Sequence, residues 1–170
     1  SLDVWLQTVD AASYGAVSQA ADRLLLQFPE TAAELYEYDV ILAFDPDWRQ
    51  IPPEGLQLLN EWVAAHGGGL VLVAGDVYTA DLAAAGDELA PIRDLYPVFL
   101  HSYAVATHID GQWGQPWPLE RTGEGRKAGF LQLNDDVAAS DDVWDEFSGV
   151  YRCYPTAGAK AGATVYAHFS

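Results

Sequence analysis

Two short runs of almost unbroken aliphatic residues constrain the fold of this chain most. The runs are "VILAF", residues 40–44, and "LVLVA", residues 70–74, and a helix-like pattern lies between them. Strands without polar alternation are typical of parallel sheets, in which both faces are covered. Strands of this kind that alternate with helices through short connections predict an α/β fold with a parallel sheet.

The segments around these two runs continue the alternation of strands and helices. Pro52 and Pro53 suit the first turn of a helix, and Gly67 suits its C-terminal cap. The buried stripe of this helix is predicted to comprise Leu56, Leu59, Trp62 and Val63. The other elements predicted in the first half are a strand over 2–9, an amphipathic helix over 17–28 stopped by Pro29, and a short helical turn opened by the capping box of Thr31 and Glu34.

The second half of the chain has weaker patterns. The segment from residue 107 to 129 is rich in Gly, Pro and Trp, which predicts a long surface excursion. The elements predicted around it are a helix near 89–95, a strand over 96–100, an acidic helix over 140–147 with Ser140 as its cap, and a late strand over 162–169.

Length and charge limit the classes of protein to which the chain can belong. A chain of 170 residues suffices for one domain, and both ends have strand-like patterns, so we expect a segment of a longer protein. The 25 acidic and 8 basic residues give a net charge of −17, which repels nucleic acid and anionic lipid headgroups. No apolar run approaches the roughly 18 residues of a membrane span, so we expect no membrane insertion by this segment. The simplest interpretation of the charge is solubility.

Ligands of parallel α/β sheets bind beyond the carboxyl ends of the strands, which directs attention to residues 8–10, 45–48 and 75–79. A nucleophile elbow would place a serine in Gly-x-Ser-x-Gly, or a cysteine, after the strand at 70–74. The chain has Asp76 and Val77 there, and none of its serines lies in that motif. "HGGG" at 66–69 matches an oxyanion-hole string of lipases, but it ends a helix here, which favours a cap and a tight turn.

Three carboxylates at strand ends are the candidate catalytic groups. Asp45 and Asp47, in "FDPDW", either hold a metal or ligand or form an Asp-Pro turn bonded to nearby backbone. Asp76 is either a poised carboxylate or the cap of the helix that follows it. Trp48 and Tyr78 flank these acids and are candidates for ligand binding.

The remaining candidates lie in the second half. Cys153, the only cysteine, is a candidate nucleophile if a histidine lies beside it, and otherwise a small buried side chain. Trp113 and Trp117 would form a platform for a sugar or a protein partner, or would pack the loop down. No histidine pair has metal-ligand spacing, and Gly123-x-Gly125 has no predicted strand before it. We therefore predict no metal and no cofactor.

The chain resembles the glutamine amidotransferase-like domains of large bacterial proteins, notably of planctomycetes, which often carry a membrane anchor and a von Willebrand factor A-type domain. The segments that carry the resemblance are "YDVILAFDPDWRQIPPEGLQLLNEWVAAHGGGLVLVAGDVYT", "LERTGEGRKAGFLQLNDDVAASDDVWDEF" and "KAGATVYAHFS". The resemblance implies a class I glutamine amidotransferase-like fold, which is a flavodoxin-like three-layer sandwich with helices on both faces of a mostly parallel sheet. It also implies a membrane-anchored parent protein.

True amidotransferases of this fold have a cysteine in the elbow and a later His-x-Glu, and this chain has neither. Asp76 or Val77 takes the place of the cysteine, so glutaminase chemistry does not carry over. The leading hypothesis is a non-catalytic domain that binds protein or other domains of its own chain. The alternative is a hydrolase that uses Asp76 with Asp45 or Asp47, with or without a metal, and a further alternative is a cysteine hydrolase based on Cys153.

Overall fold

The fold is taken from a computed structural model that describes residues 1–9, 13, 21–101, 115–151 and 153–169. Contacts divide the chain into two compact units, Ser1–Tyr96 and Pro97–Ser170. The expectation that both belong to one domain stays a prediction. Within the described ranges, none of the helices is long and apolar enough to cross a membrane.

The first unit combines parallel strand pairs with helices, as the sequence predicts. Its strands are β1 (Asp3–Trp5), β2 (Arg23–Leu25), β3 (Val40–Phe44) and β4 (Gly69–Val73), of which β1 pairs with β2 and β3 with β4, both in parallel. Its helices are α1 (Ala32–Leu35), α2 (Pro53–His66), α3 (Tyr78–Ala84) and α4 (Ala90–Leu95), with short 3-10 turns at Trp48–Gln50 and Asp87–Leu89.

Side-chain hydrogen bonds also link the segments of β1 and β3, in addition to the ladder hydrogen bonds of the two pairs. At the start of the strands, the Tyr38 hydroxyl donates to the Asp3 carboxylate at 2.7 Å. Beyond their ends, the Gln7 amide accepts the Asp47 N–H at 2.8 Å and donates to the Asp47 carbonyl at 3.0 Å. These contacts connect the segments of β1 and β3, while the two parallel pairs, β1–β2 and β3–β4, are separate two-stranded sheets.

The helix predicted over 17–28 is wrong at Arg23–Leu25, which form β2; residues 17–20 of that prediction lie outside the described residues. Arg23 faces Asp3 across the β1–β2 ladder, and its Nη2 lies 2.5 Å from Asp3 Oδ2. This ion pair and the ladder hydrogen bonds join positions 20 residues apart. Such long-range contacts override the helical periodicity of the local sequence.

We expect the contacts of Asp3 with Arg23 and Tyr38 to make the free energy of unfolding depend on pH in the acid range. Hydrogen bonds from Arg23 and then from Tyr38 hold the pKa of Asp3 below its ordinary value of 3.8. The folded state therefore binds fewer protons than the unfolded state just below pH 3.8, so the stabilisation is complete above that pH and is lost as the pH falls through the lowered pKa. Urea unfolding of the parent chain and of Asp3→Asn between pH 7 and pH 2.5 would measure this. The parent should lose stability more steeply below pH 3.8, and parallel curves would contradict the prediction.

Helix α2 confirms the predictions made for it. It begins at the proline pair and ends at Gly67, whose φ of 73° is the left-handed conformation that glycine adopts readily. The capping box of Thr31 and Glu34 at the start of α1 is also confirmed. The core of this unit is apolar and draws on α2 and its neighbours, while Val63 is only half-buried. Its buried side chains are Leu35, Ala43, Trp48, Ile51, Leu56, Leu59, Trp62, Ala80, Leu82, Leu89, Ile92 and Tyr96.

The second unit differs from the predicted, mostly parallel sheet. Its strands are β5 (Val98–Leu100), β6 (Leu119–Arg121), β7 (Thr156–Ala159) and β8 (Ala167–Phe169), and both of its ladders, β5–β7 and β6–β8, are antiparallel. Burial alternates along β5, β6 and β8, which is typical of antiparallel strands with one face exposed. The parallel pairing that the sequence predicts is thus confined, among the described strands, to the first unit.

Two further expectations for this unit are corrected. Part of the predicted surface excursion forms β6 and helix α5 (Gly123–Lys127), so a strand does precede Gly123-x-Gly125. Helix α6 (Val137–Glu146) begins three residues before the predicted Ser140, and its cap is Asp136, whose carboxylate accepts the Ala138 N–H at 2.9 Å. Ser140 is instead buried and accepts the Leu133 N–H. An exposed carboxylate near the first turn is as good a cap as serine, and periodicity alone does not distinguish them.

Candidate functional site

Asp45 is the central residue of the candidate site, at the carboxyl ends of β3 and β4. Its N–H donates to the Val73 carbonyl at 2.8 Å, which extends the parallel ladder by one residue. Its φ is +41°, and it is the one non-glycine residue with a positive φ in the described part of the chain. Aspartate tolerates this left-handed conformation better than most residues, and here the turn directs the carboxylate toward the start of α3.

The Asp45 carboxylate receives the backbone donors at the N-terminus of α3. Its Oδ2 accepts the N–H groups of Val77 at 3.3 Å and Tyr78 at 3.2 Å. Its Oδ1 accepts both the N–H and the hydroxyl of Thr79 at 2.7 Å. A carboxylate in this position satisfies donors that a helix leaves unpaired at its start and complements the helix dipole. Asp45 therefore serves as the cap of α3 from a position more than 30 residues earlier.

Gly75 allows this close approach of the two strand ends. A Cβ atom at position 75 would overlap the Asp45 carboxylate, so a side chain there would displace the capping group. The Gly75 N–H in turn donates to the Thr79 hydroxyl at 3.2 Å. The glycine of the "AGDVY" turn is thus explained by packing against Asp45.

The turn does not have the geometry of a nucleophile elbow. Such an elbow holds its nucleophile on a strained strand-to-helix turn and uses the N–H of the next residue in the oxyanion hole. Val77 has an ordinary φ of −101°, and the N–H groups of the next two residues already donate to Asp45. The sequence predicts that the elbow lacks its usual nucleophile. In the structure, the N–H groups that would serve an oxyanion hole at this turn donate to the Asp45 carboxylate instead.

A buried polar cluster lies behind the cap. Thr79 and Tyr96 are almost fully buried, and the Trp48 indole N–H donates to the Tyr96 hydroxyl at 3.4 Å. Burial first, and then the nearby Asp45 charge, raise the pKa of Tyr96, while the neighbouring Trp48 and Thr79 side chains act in the other direction. Trp48, a predicted ligand-binding residue, lies in the core of the first unit.

The other two predicted acids have different surroundings. Asp47 caps the turn at Trp48–Gln50, since its carboxylate accepts the Arg49 N–H and a Gln50 side-chain N–H, both at 3.2 Å. This favours the turn interpretation of "FDPDW". Asp76 is exposed and interacts with another group of the chain. It is not the cap of α3, because the N-cap position is occupied by Val77. Among the described residues, no group of three or more His, Cys, Asp or Glu side chains is arranged to hold a metal ion.

Among the described residues, Cys153 does not have the surroundings of a catalytic thiol. It is half-buried, and burial raises the pKa of its thiol, which disfavours the reactive thiolate. Within the ranges that the structure describes, no histidine forms a hydrogen bond with it. The neighbouring Tyr154 instead donates its hydroxyl to the His101 carbonyl at 2.5 Å.

The remaining sequence candidates are placed as follows. Trp117 exchanges two backbone hydrogen bonds with Val150, and its ring meets the Phe169 ring edge-on at 6.4 Å, so it packs its own segment down. Trp113 lies outside the described residues. In the "HGGG" string, Gly67 is the C-terminal cap and the Gly68 N–H donates to the Trp62 carbonyl, which confirms the cap, while the Gly69 N–H donates to the Asp39 carbonyl beside β3.

The sequence did not predict that one face of the β3–β4 pair is exposed. We call this the apolar sheet face. The register places its members together on one side of the pair, whereas Ala43 on the opposite side is buried. An uninterrupted aliphatic run is expected for a strand covered on both faces, and no signal in the sequence marks one face as open. The exposed fractions of its five side chains run from 44% to 70%: Val40, Leu42, Phe44, Val71 and Val73.

Comparison of the chain with protein-family models, with curated proteins and with solved structures found no match in any of the three.

Proposed function

We propose that the chain is a non-catalytic glutamine amidotransferase-like domain that binds protein, or other domains of its parent chain, as an assembly module. The parent protein in this proposal is membrane-anchored, as the resemblance of the sequence implies. The fold proposed for the chain is the flavodoxin-like three-layer sandwich. The parallel pairing of β1 with β2 and of β3 with β4 in the first unit supports this choice, since the sheet of that fold is mostly parallel.

The capping role of Asp45 carries the non-catalytic part of the proposal. Acyl transfer at an elbow needs both a nucleophile and free N–H donors at the position where the oxyanion develops. Here the nucleophile position is Asp76 or Val77, and the donors of Val77, Tyr78 and Thr79 all point to a carboxylate of the same chain. A carboxylate in that place would repel an oxyanion as well as block it.

The apolar sheet face supports the binding part. Contiguous exposed apolar surface on a soluble domain is a common mark of an interaction site. Parallel sheets in α/β proteins normally have both faces covered, because the helices that connect their strands lie on the two faces. A partner that covers the apolar sheet face would complete this arrangement.

We expect no turnover from the chain. The test measures ammonia release from glutamine and hydrolysis of a panel of small esters and amides, with and without divalent metal ions. Asp76→Ala and Cys153→Ser are assayed beside the parent chain, since they remove the remaining candidate nucleophiles or bases. Turnover that one variant abolishes would contradict the proposal. Loss of turnover in Asp76→Ala would support the hydrolase based on Asp76. Loss of turnover in Cys153→Ser would support the cysteine hydrolase.

A further inference from the structure

We infer that the partner of the apolar sheet face is a basic amphipathic helix, a conclusion that rests on the proposed binding function. The face itself is apolar and about two strands wide. Side chains at Val40, Leu42 and Phe44 project beside those at Val71 and Val73 in the same register. Helices are the elements that normally cover parallel strands, because a helix presents an apolar stripe that fits along them.

The charge of the first unit selects a basic partner. Residues 1–96 contain 16 acidic and 3 basic residues, a net charge of −13. The three arginines are engaged within the unit: Arg23 with Asp3, Arg49 with Asp81 at 2.9 Å, and Arg93 with the Ala85 carbonyl. An uncompensated negative field of this size steers cationic partners toward the surface and repels a second copy of the same chain.

Acidic residues also lie just before β3 and just after β4 in the sequence. Asp39 directly precedes Val40, Asp76 follows Val73 by three residues, and both acidic residues are exposed. Lysine or arginine on the sides of a bound helix would meet this charge, while its apolar stripe covers the face. Complementary charge at the rim around an apolar centre is the usual arrangement of a specific interface.

The length of the strands sets the length of the helix. Each strand has five residues, which spans about 17 Å at about 3.3 Å per residue. At 1.5 Å per residue, a helix of about 11 residues matches this length. Three turns place apolar side chains at i, i+3, i+4 and i+7, enough to cover the exposed side chains of both strands.

The probe is a synthetic 14-residue helix of leucine and lysine with leucine at that spacing, titrated against the full chain by calorimetry. Leu42→Ser is expected to weaken binding about tenfold or more, because one buried leucine contributes about that factor. The matched control is Leu26→Ser, which changes a leucine of the same unit that is 68% exposed and lies outside the face. Val71→Ser repeats the test on the second strand, and the melting curve of each variant confirms that it is folded.

Two further peptides separate shape from charge. A peptide of the same composition in scrambled order, with no apolar stripe, and one with glutamate in place of lysine should both bind about tenfold more weakly or worse. Equal binding of the scrambled peptide, or equal effects of Leu42→Ser and Leu26→Ser, would overturn the inference. A dimer of the parent chain that Leu42→Ser dissociates would also overturn it in favour of a second copy. Substrate turnover by the same samples would instead contradict the proposed function, whatever the peptides do.

Discussion

Replacing Asp45 with alanine is expected to lower the free energy of unfolding by about 3 kcal/mol. The carboxylate accepts three backbone N–H groups and one hydroxyl, and a methyl group would leave these donors, all but one of them part-buried, without that acceptor. Alanine would also retain the unfavourable positive φ of the position without the side chain that tolerates it. Urea unfolding followed by tryptophan fluorescence measures the change, since Trp48 lies in the core beside this cap.

Two further substitutions at the same position separate the causes. Asp45→Gly also removes the carboxylate but relieves the backbone, so it should be less destabilising than alanine by about 1 kcal/mol. Asp45→Asn keeps one acceptor oxygen and should lie between the parent and alanine. The control is Asp47→Ala, which removes a cap from a single 3-10 turn and should cost about 1 kcal/mol. Equal losses for Asp45→Ala and Asp47→Ala would contradict the central role of Asp45.

Replacing Gly125 with alanine is expected to destabilise the second unit by about 3 kcal/mol or more. Gly125 lies in α5, and a Cβ atom there would overlap the Tyr166 carbonyl oxygen, which is backbone and has little room to move. That same oxygen accepts the Thr122 N–H at 2.9 Å, so a displacement of Tyr166 would also disturb the start of α5. Hydrogen exchange of residues 119–127 and 165–169 would report the loss locally.

The matched control lies two residues away in the same helix. Gly123 has no atom within 4 Å of the position that a Cβ would take, so Gly123→Ala should be neutral or stabilising by a few tenths of a kcal/mol. A helix-propensity effect alone would give the two variants the same sign. Stabilisation by Gly125→Ala would therefore show that α5 does not pack against Tyr166 in solution.

The elements that were predicted well depend on local signals. Helix α2 has a proline pair at its start, an apolar stripe and a glycine at its end, and each of these acts within a few residues. The capping box of α1 is local in the same way. The "LVLVA" and "VILAF" runs have no helical periodicity and pair as predicted. These elements are the part of the fold that local stereochemistry determines.

The candidate site was predicted only in its position. The carboxyl ends of β3 and β4 follow from the parallel fold, and Asp45 was a candidate there. Its role as the cap of α3 depends on a contact that spans more than 30 residues, which no local pattern encodes. Asp76, which lies two residues before α3, was the more plausible cap on local grounds, and the tertiary turn at Asp45 gave that role to the distant residue.

By itself, the sequence determined the parallel α/β character of the first unit, the ends of α2, the missing nucleophile and the strong negative charge. Only the tertiary structure decided that Arg23–Leu25 would pair with β1, that the second unit would pair its strands antiparallel, that Asp45 would cap α3, and that one face of β3 and β4 would be exposed. The physical reason is the range of the interactions. Capping, periodicity and composition act within a few residues, whereas strand pairing, distant capping and burial depend on which segments the fold brings together.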